Sequence, residues 1–306
     1  MAKWTAFWAL GLIWGSSFLL IRVGVGELSP WQVVFMRTGI AAIGLNIALR
    51  LSGKSLPSDL RQWMPLIVLG IGNTTLPFML ITWGEQSIDS GLASVLNATA
   101  ALFTLVMAHF AFADERITPQ KVAGLALGFI GVVVLASRAW VDGQVIAGNL
   151  VGQLMIVGAA FCYGYFATYS RRIIKTRFEP LVVSTGAMTV AAISSGVGIL
   201  FTLFTGGHAA TPLPQVSSDV LWAILILGLL NTFVAYLMYY WVIQQLGAAR
   251  ASMVTYVTPV VGLTLGALVL NEVVDARLLI GAALIFVGIA VVNLKLFRRK
   301  AVPAAA

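Results

Sequence analysis

Apolar runs of about 20 residues follow one another along the chain, separated by short polar stretches, and each is long enough to cross roughly 30 Å of hydrocarbon as one helix. The runs lie near 4–22, 31–51, 64–84, 91–112 and 118–137, then near 149–170, 180–204, 219–244, 250–271 and 277–297. Pro30, Pro119 and Pro180 stand at or near helix starts, where a missing N–H costs little. The pattern predicts an all-α membrane protein with ten transmembrane helices. The first run carries a polar Trp14-Gly15-Ser16-Ser17 centre and no small-residue cleavage pattern, so it is read as a helix and not as a secretory leader.

The ten runs form two groups of five that repeat each other residue by residue. Gly70-Ile71-Gly72-Asn73-Thr74 matches Gly228-Leu229-Leu230-Asn231-Thr232, and at the same offset Trp83 matches Trp241, Gln86 matches Gln244 and Ala93-Ser94 matches Ala251-Ser252. Glu115, Gly124 and Gly131 match Glu272, Gly281 and Gly288 at an offset shorter by one, and the first spans align through Trp14-Gly15 and Tyr163-Gly164. Five crossings return the chain on the opposite side, so the second copy is inverted. The expected organisation is a first five-helix repeat at 1–138, a linker at 139–148, a second repeat at 149–297 and a tail at 298–306. Inverted repeats suit a molecule that opens alternately to two compartments around a central site.

Composition agrees with a bilayer as solvent: 59% of residues are hydrophobic, 10% are charged and the mean hydropathy is +0.95. No stretch remains for a soluble catalytic or DNA-binding domain. With a cytoplasmic N-terminus, all of the 19 Lys and Arg residues except Arg22, Arg37, Arg138 and Arg277 fall on the cytoplasmic side. Basic loops stay inside, so both termini are expected in the cytoplasm and the protein in the cytoplasmic (inner) membrane. The net charge of +8 is then a matter of topology and anionic lipid, and no nucleic-acid partner is expected. Cys162 is the single cysteine, and His109 and His208 lie in different regions, so no disulfide, metal site, cofactor or catalytic cluster is expected.

Trp14-Gly15 early in the first span, Arg37 early in the second, and Glu115 and Glu272 before the Gly-rich fifth and tenth spans complete a recognisable pattern. Together with five plus five helices it resembles the drug/metabolite transporter superfamily, in particular its ten-helix exporter branch built from two EamA-type repeats. The resemblance covers essentially the whole chain. It implies a central cavity lined mainly by spans one, three, four, six, eight and nine, with spans five and ten behind. One departure is Pro259 in the ninth span, which faces Ala101 in the fourth, so any proline kink there would exist in one half only.

Candidate chemistry concentrates near the bilayer centre. Asn73 and Asn231 lie deep within their spans, and a buried amide needs partners. Two readings stand: a clamp joining spans three and eight, or a pair of amides binding the polar part of a substrate. Thr74 with Phe78, and Thr232 with Tyr236 and Tyr240, recur at i, i+4 spacing and so share a helix face. Trp14, Phe18, Tyr163 and Phe166 add rings from the first and sixth spans. Core packing explains most such stripes. As pocket walls they would suit small organic solutes with an apolar or aromatic part, because ring faces stack on flat groups and attract ammonium. Asn97, Thr255 and Tyr256 are further candidates on helices that the resemblance puts at the cavity.

Charged positions supply gating candidates. Glu115 and Glu272 are expected to cap the fifth and tenth helices, with gate pairing to a basic residue as the alternative. Arg37, inside the second span, is expected to snorkel outward, with contact to a substrate carboxylate as the alternative. Trp83 and Trp241 read as interfacial anchors. No carboxylate stands at midmembrane, which favours facilitated transport or exchange, although Glu85 leaves room for proton coupling. The expected function is export of small organic metabolites, above all amino acids, by alternating access. Efflux of drugs or other amphipathic compounds is the runner-up. No enzymatic activity is expected, and a monomer suffices.

Overall fold

The computed structural model describes residues 2–113, 117–141, 144–145, 147–176, 178–205, 210–246, 251 and 253–293. Among the described residues the chain forms ten long helices: α1 (Ala2–Gly24), α2 (Pro30–Leu51), α3 (Leu60–Gly84), α4 (Ser90–Ala111), α5 (Pro119–Ala136), α6 (Ala147–Thr176), α7 (Pro180–Phe204), α8 (Ser218–Leu246), α9 (Val254–Val269) and α10 (Ala276–Asn293). A two-residue antiparallel ladder, Trp140–Val141 with Gln144–Val145, sits between α5 and α6. Helix starts follow local chemistry. Ser29 and Gln32 form a capping box at α2, and Asp59, Thr118 and Ser217 cap α3, α5 and α8.

The two repeats pack as an inverted pair. α1 lies on α9 as α4 lies on α6, α3 meets α6 and α7 as α8 meets α1 and α2, and α2 faces its counterpart α7. α5 and α10 form their own pair along the matched glycines. A Cβ on Gly124 would lie 2.6 Å from the Gly288 carbonyl, and one on Gly131 would lie 2.7 Å from the Gly281 carbonyl, so only glycine permits this approach. Those glycines are thereby used within one chain. Large apolar side chains such as Ile43, Phe110, Phe204 and Leu268 are exposed, as lipid contact requires.

Three of the described helices are irregular. α3 and α8 each contain a π-turn, at Gly70–Thr75 and Leu229–Val234. α9 continues as helix through Pro259, whereas α4 is interrupted at Ala98 and Thr99. There the N–H groups of Ala98, Thr99, Ala101 and Leu102 each bond the carbonyl three residues back, and the Thr99 hydroxyl bonds the Leu96 carbonyl at 2.6 Å. Tight i→i−3 bonding, and no proline, makes the break.

Candidate functional site

The π-turns hold the two repeats together by one shared device. Thr75 Oγ1 donates to the Gly70 carbonyl at 3.0 Å, and Thr232 Oγ1 donates to the Leu227 carbonyl at 2.8 Å, each five residues back. In α3, Pro77 adds a cause, because it brings no N–H to the Asn73 carbonyl. Each hydroxyl also meets a polar group from the opposite repeat. Thr75 Oγ1 shares a 2.8 Å hydrogen bond with Ser194 Oγ on α7, and Thr232 Oγ1 accepts from Arg37 Nε on α2 at 2.9 Å. α7 and α2 are matched helices, but Thr232 aligns with Thr74 and not with Thr75, so the two contacts are alike in kind and differ in register and in charge. Such turns recur at functional sites.

Arg37 does not snorkel. It is 8% exposed, with its guanidinium carbon 3.9 Å from the centre of the Phe78 ring. The Thr232 hydroxyl and the ring face offset part of the cost of burying the charge, which is why the side chain stays inside.

The two asparagines have different surroundings. Asn231 is fully buried, and its Nδ2 faces the Ile13 carbonyl, Ser16 Oγ at 2.9 Å and Ser17 Oγ at 3.1 Å, all on α1, while Oδ1 has no partner. It thus clamps α8 to α1, and not to α3. Asn73 is half-buried, and its amide makes no hydrogen bond among the described residues.

Aromatic rings gather at the same level. Trp14 lies edge-on to Tyr236 with ring centres 6.5 Å apart and tilted against Tyr239 at 5.1 Å, and Tyr236 lies 6.4 Å from Tyr240, whose hydroxyl meets Ser184. Phe78, Tyr163 and Tyr236 belong to one cluster with Val34 and Met188. The structure therefore brings together Trp14, Arg37, Phe78, Tyr163, Thr232 and Tyr236. Phe18 packs in the large core, and Phe166 covers Gly72, where a Cβ would lie 2.0 Å from its Cζ. Thr74 is buried, Asn97 is half-buried with its Oδ1 unpartnered, Tyr256 is half-buried and Thr255 is exposed. Ser16, Ser17, Tyr239 and Ser194 were not singled out in the sequence, although the first two stand in the polar centre of the first span.

A second polar cluster closes the end that carries few basic residues. The Glu272 carboxylate accepts the N–H groups of Ser90 at 2.7 Å and Gly91 at 2.8 Å. It therefore caps α4 of the other repeat, and not α10, whose start is capped by Asp275 through the Leu278 N–H at 2.7 Å. Asn271, in the left-handed conformation at φ 54°, turns the chain out of α9 and brings Glu272 round. Arg138 bonds Asp275 at 3.0 Å and lies 3.8 Å from Asp89. Burial works against the Asp275 carboxylate, but the Leu278 N–H and Arg138 outweigh it and hold the pKa below the ordinary value. Glu85, just past the last residue of α3, is fully buried with both carboxylate oxygens unpartnered, while Arg22 donates to its carbonyl. Burial raises its pKa well above the ordinary value, against the pull of Arg22. Glu115 lies outside the described residues.

Ten helices in two inverted repeats, with paired irregular turns and polar groups between them, define a membrane transporter. The sequence profile of the EamA-like transporter family matches residues 3–137 and again 150–294, and the chain belongs to that family. YoaV, an uncharacterised transporter of Bacillus subtilis, is 27% identical over 94% of this chain and 96% of its own length. A Streptantibioticus cattleyicolor protein named a probable terminal-alkyne amino-acid exporter is 27% identical over 96% of this chain and 95% of its own. A crystal structure 21% identical in sequence shares the fold, with a TM-score of 0.67 over 96% of this chain and 98% of that one.

Proposed function

We propose that the protein exports small organic metabolites, amino acids foremost, across the cytoplasmic membrane by facilitative alternating access. The observation that carries this reading is the pair of π-turns, each bonded through a threonine to the opposite repeat, the Thr232 contact lying beside a cluster of aromatic rings. Two halves joined at such turns can rock around a shared level while the rings and amides hold an amphipathic solute. Trp14, Asn73, Phe78, Asn97, Tyr163, Thr232 and Tyr236 form the contact set, with Thr74, Asn231, Thr255 and Tyr256 around it and Phe18 and Phe166 packed behind. Glu272 latches one end, with Glu115 as its counterpart by repeat symmetry. Both termini face the cytoplasm, one chain suffices, and the task is carriage without covalent chemistry. The named exporter among the relatives supports the choice of amino acids. Uptake of labelled aromatic and aliphatic amino acids into proteoliposomes, against empty liposomes, tests it: accumulation of at least one is expected, and none for the whole panel refutes the substrate class.

A further inference from the structure

We infer that the free edge of the Arg37 guanidinium binds the carboxylate of the transported solute, so that carboxylate-bearing amphiphiles are carried and cationic drugs are not. The inference rests on reading this level as the substrate site and names what that site requires. Arg37 is 92% buried by its 8% exposure, and no carboxylate forms an ion pair with it among the described residues. Its Nε is committed to Thr232, and one face of its plane is committed to Phe78. What remains is the pair of Nη groups, which make no hydrogen bond among the described residues and are not sealed away from small probes.

That remainder is a planar fork of donors held rigidly from behind, the geometry that receives a carboxylate through two parallel hydrogen bonds. A buried cation without a counter-ion is costly, and a ligand carboxylate removes that cost on binding. Glu85 does not serve Arg37 as a partner, since neither of its carboxyl oxygens has a hydrogen-bond partner. Tyr163 and Tyr236 pack in the same cluster as Phe78, and Tyr236 lies edge-on to Trp14. A carboxylate on Arg37 thus leaves the rest of the solute among aromatic rings. The comparable contact in the other half, Thr75 with the Ser194 hydroxyl, carries no charge, so the anchor is single and orients the solute. An ammonium group without a carboxylate meets repulsion at the same place.

Thermal-shift titration of the purified protein in detergent, with phenylalanine, 3-phenylpropanoate and phenethylamine as probes, tests the inference. The carboxylates should stabilise the protein and the amine should not. Arg37→Gln should weaken carboxylate binding at least about tenfold, the loss of one charge-assisted hydrogen bond, with Arg37→Lys between the two. A purely structural role for Arg37 would leave the preference for carboxylate over amine unchanged, which overturns the inference. Equal binding of the amine, or no binding of either carboxylate, overturns it too. Binding of 3-phenylpropanoate but not phenylalanine, lost in Arg37→Gln, upholds the anchor and removes the amino-acid reading. Phenylalanine binding that Arg37→Gln leaves intact does the reverse. Should Arg37→Gln fail to fold, Arg37→Lys carries the same comparison.

Discussion

Arg37 on α2 and Thr232 on α8 stand 195 positions apart in the chain and share one hydrogen bond of 2.9 Å. The bond ties the second helix of one repeat to the π-turn of the other, where Thr232 also bonds Leu227. Thr232→Val keeps the shape and removes the acceptor, leaving a buried charged donor unpaired. The melting temperature in detergent should fall by the equivalent of about 1.5–3 kcal/mol. Thr232→Ser should restore most of it, and an unchanged Thr232→Val would show that the bond carries little.

The asparagines should separate in their effects. Asn231 clamps α8 onto α1 with two N–H donors shared among Ile13, Ser16 and Ser17, so Asn231→Leu should lower the melting temperature, by about 1–2 kcal/mol for polar contacts between membrane helices. Asn73 has no such partner, so Asn73→Leu should leave melting near wild type and abolish transport. Paired measurements of melting and proteoliposome flux check this, and equal destabilisation of both would contradict it.

Tyr236→Ala removes the ring that faces Trp14 and should weaken aromatic substrates more than aliphatic ones, by about 0.5–1.5 kcal/mol of ring contact. Competition assays with phenylalanine and alanine measure the difference. Equal losses would argue against stacking.

Glu85 gives stability a definite pH dependence. Its carboxyl pKa is raised by burial, with Arg22 opposing, so the folded protein holds this proton more tightly than the unfolded chain. The resulting stabilisation is complete below the ordinary glutamate value of 4.5 and is lost as pH rises toward the folded value. Melting temperature should therefore decline upward from pH 4.5, and Glu85→Gln should flatten the decline. A mutant with the same slope would assign the dependence elsewhere.

Glu272→Ala leaves the Ser90 and Gly91 N–H groups without their acceptor and should destabilise by about 1.5–3 kcal/mol. Gly266→Ala should reproduce much of this without changing charge, because its Cβ would lie 2.1 Å from Glu272 Oε2. The two act through one contact, so the double variant should lose less than the sum in a melting series.

Hydropathy made the ten helices legible, and matched Asn-Thr motifs made the inversion legible, because both depend on local pattern. Arg37 was visible as a lone charge in a span, but not its retention, which depends on Phe78 and Thr232 arriving from other helices. Glu272 was readable as a cap, yet the helix it caps starts 182 positions away, beyond anything local spacing conveys. The break in α4 arises from the Thr99 hydroxyl and short-range backbone bonding, which leave a weaker mark in a sequence than a proline does. The π-turn in α3 was foreshadowed by Pro77 after two threonines, whereas α8 has Ala235 in place of that proline.

Counterflow of labelled phenylalanine into proteoliposomes, with and without an imposed pH gradient, tests the central claim most directly. Saturable exchange that the gradient leaves unchanged, and that Asn73→Leu abolishes, is the predicted result. Flux no greater than in empty liposomes for phenylalanine and every other amino acid would contradict the account of the substrate.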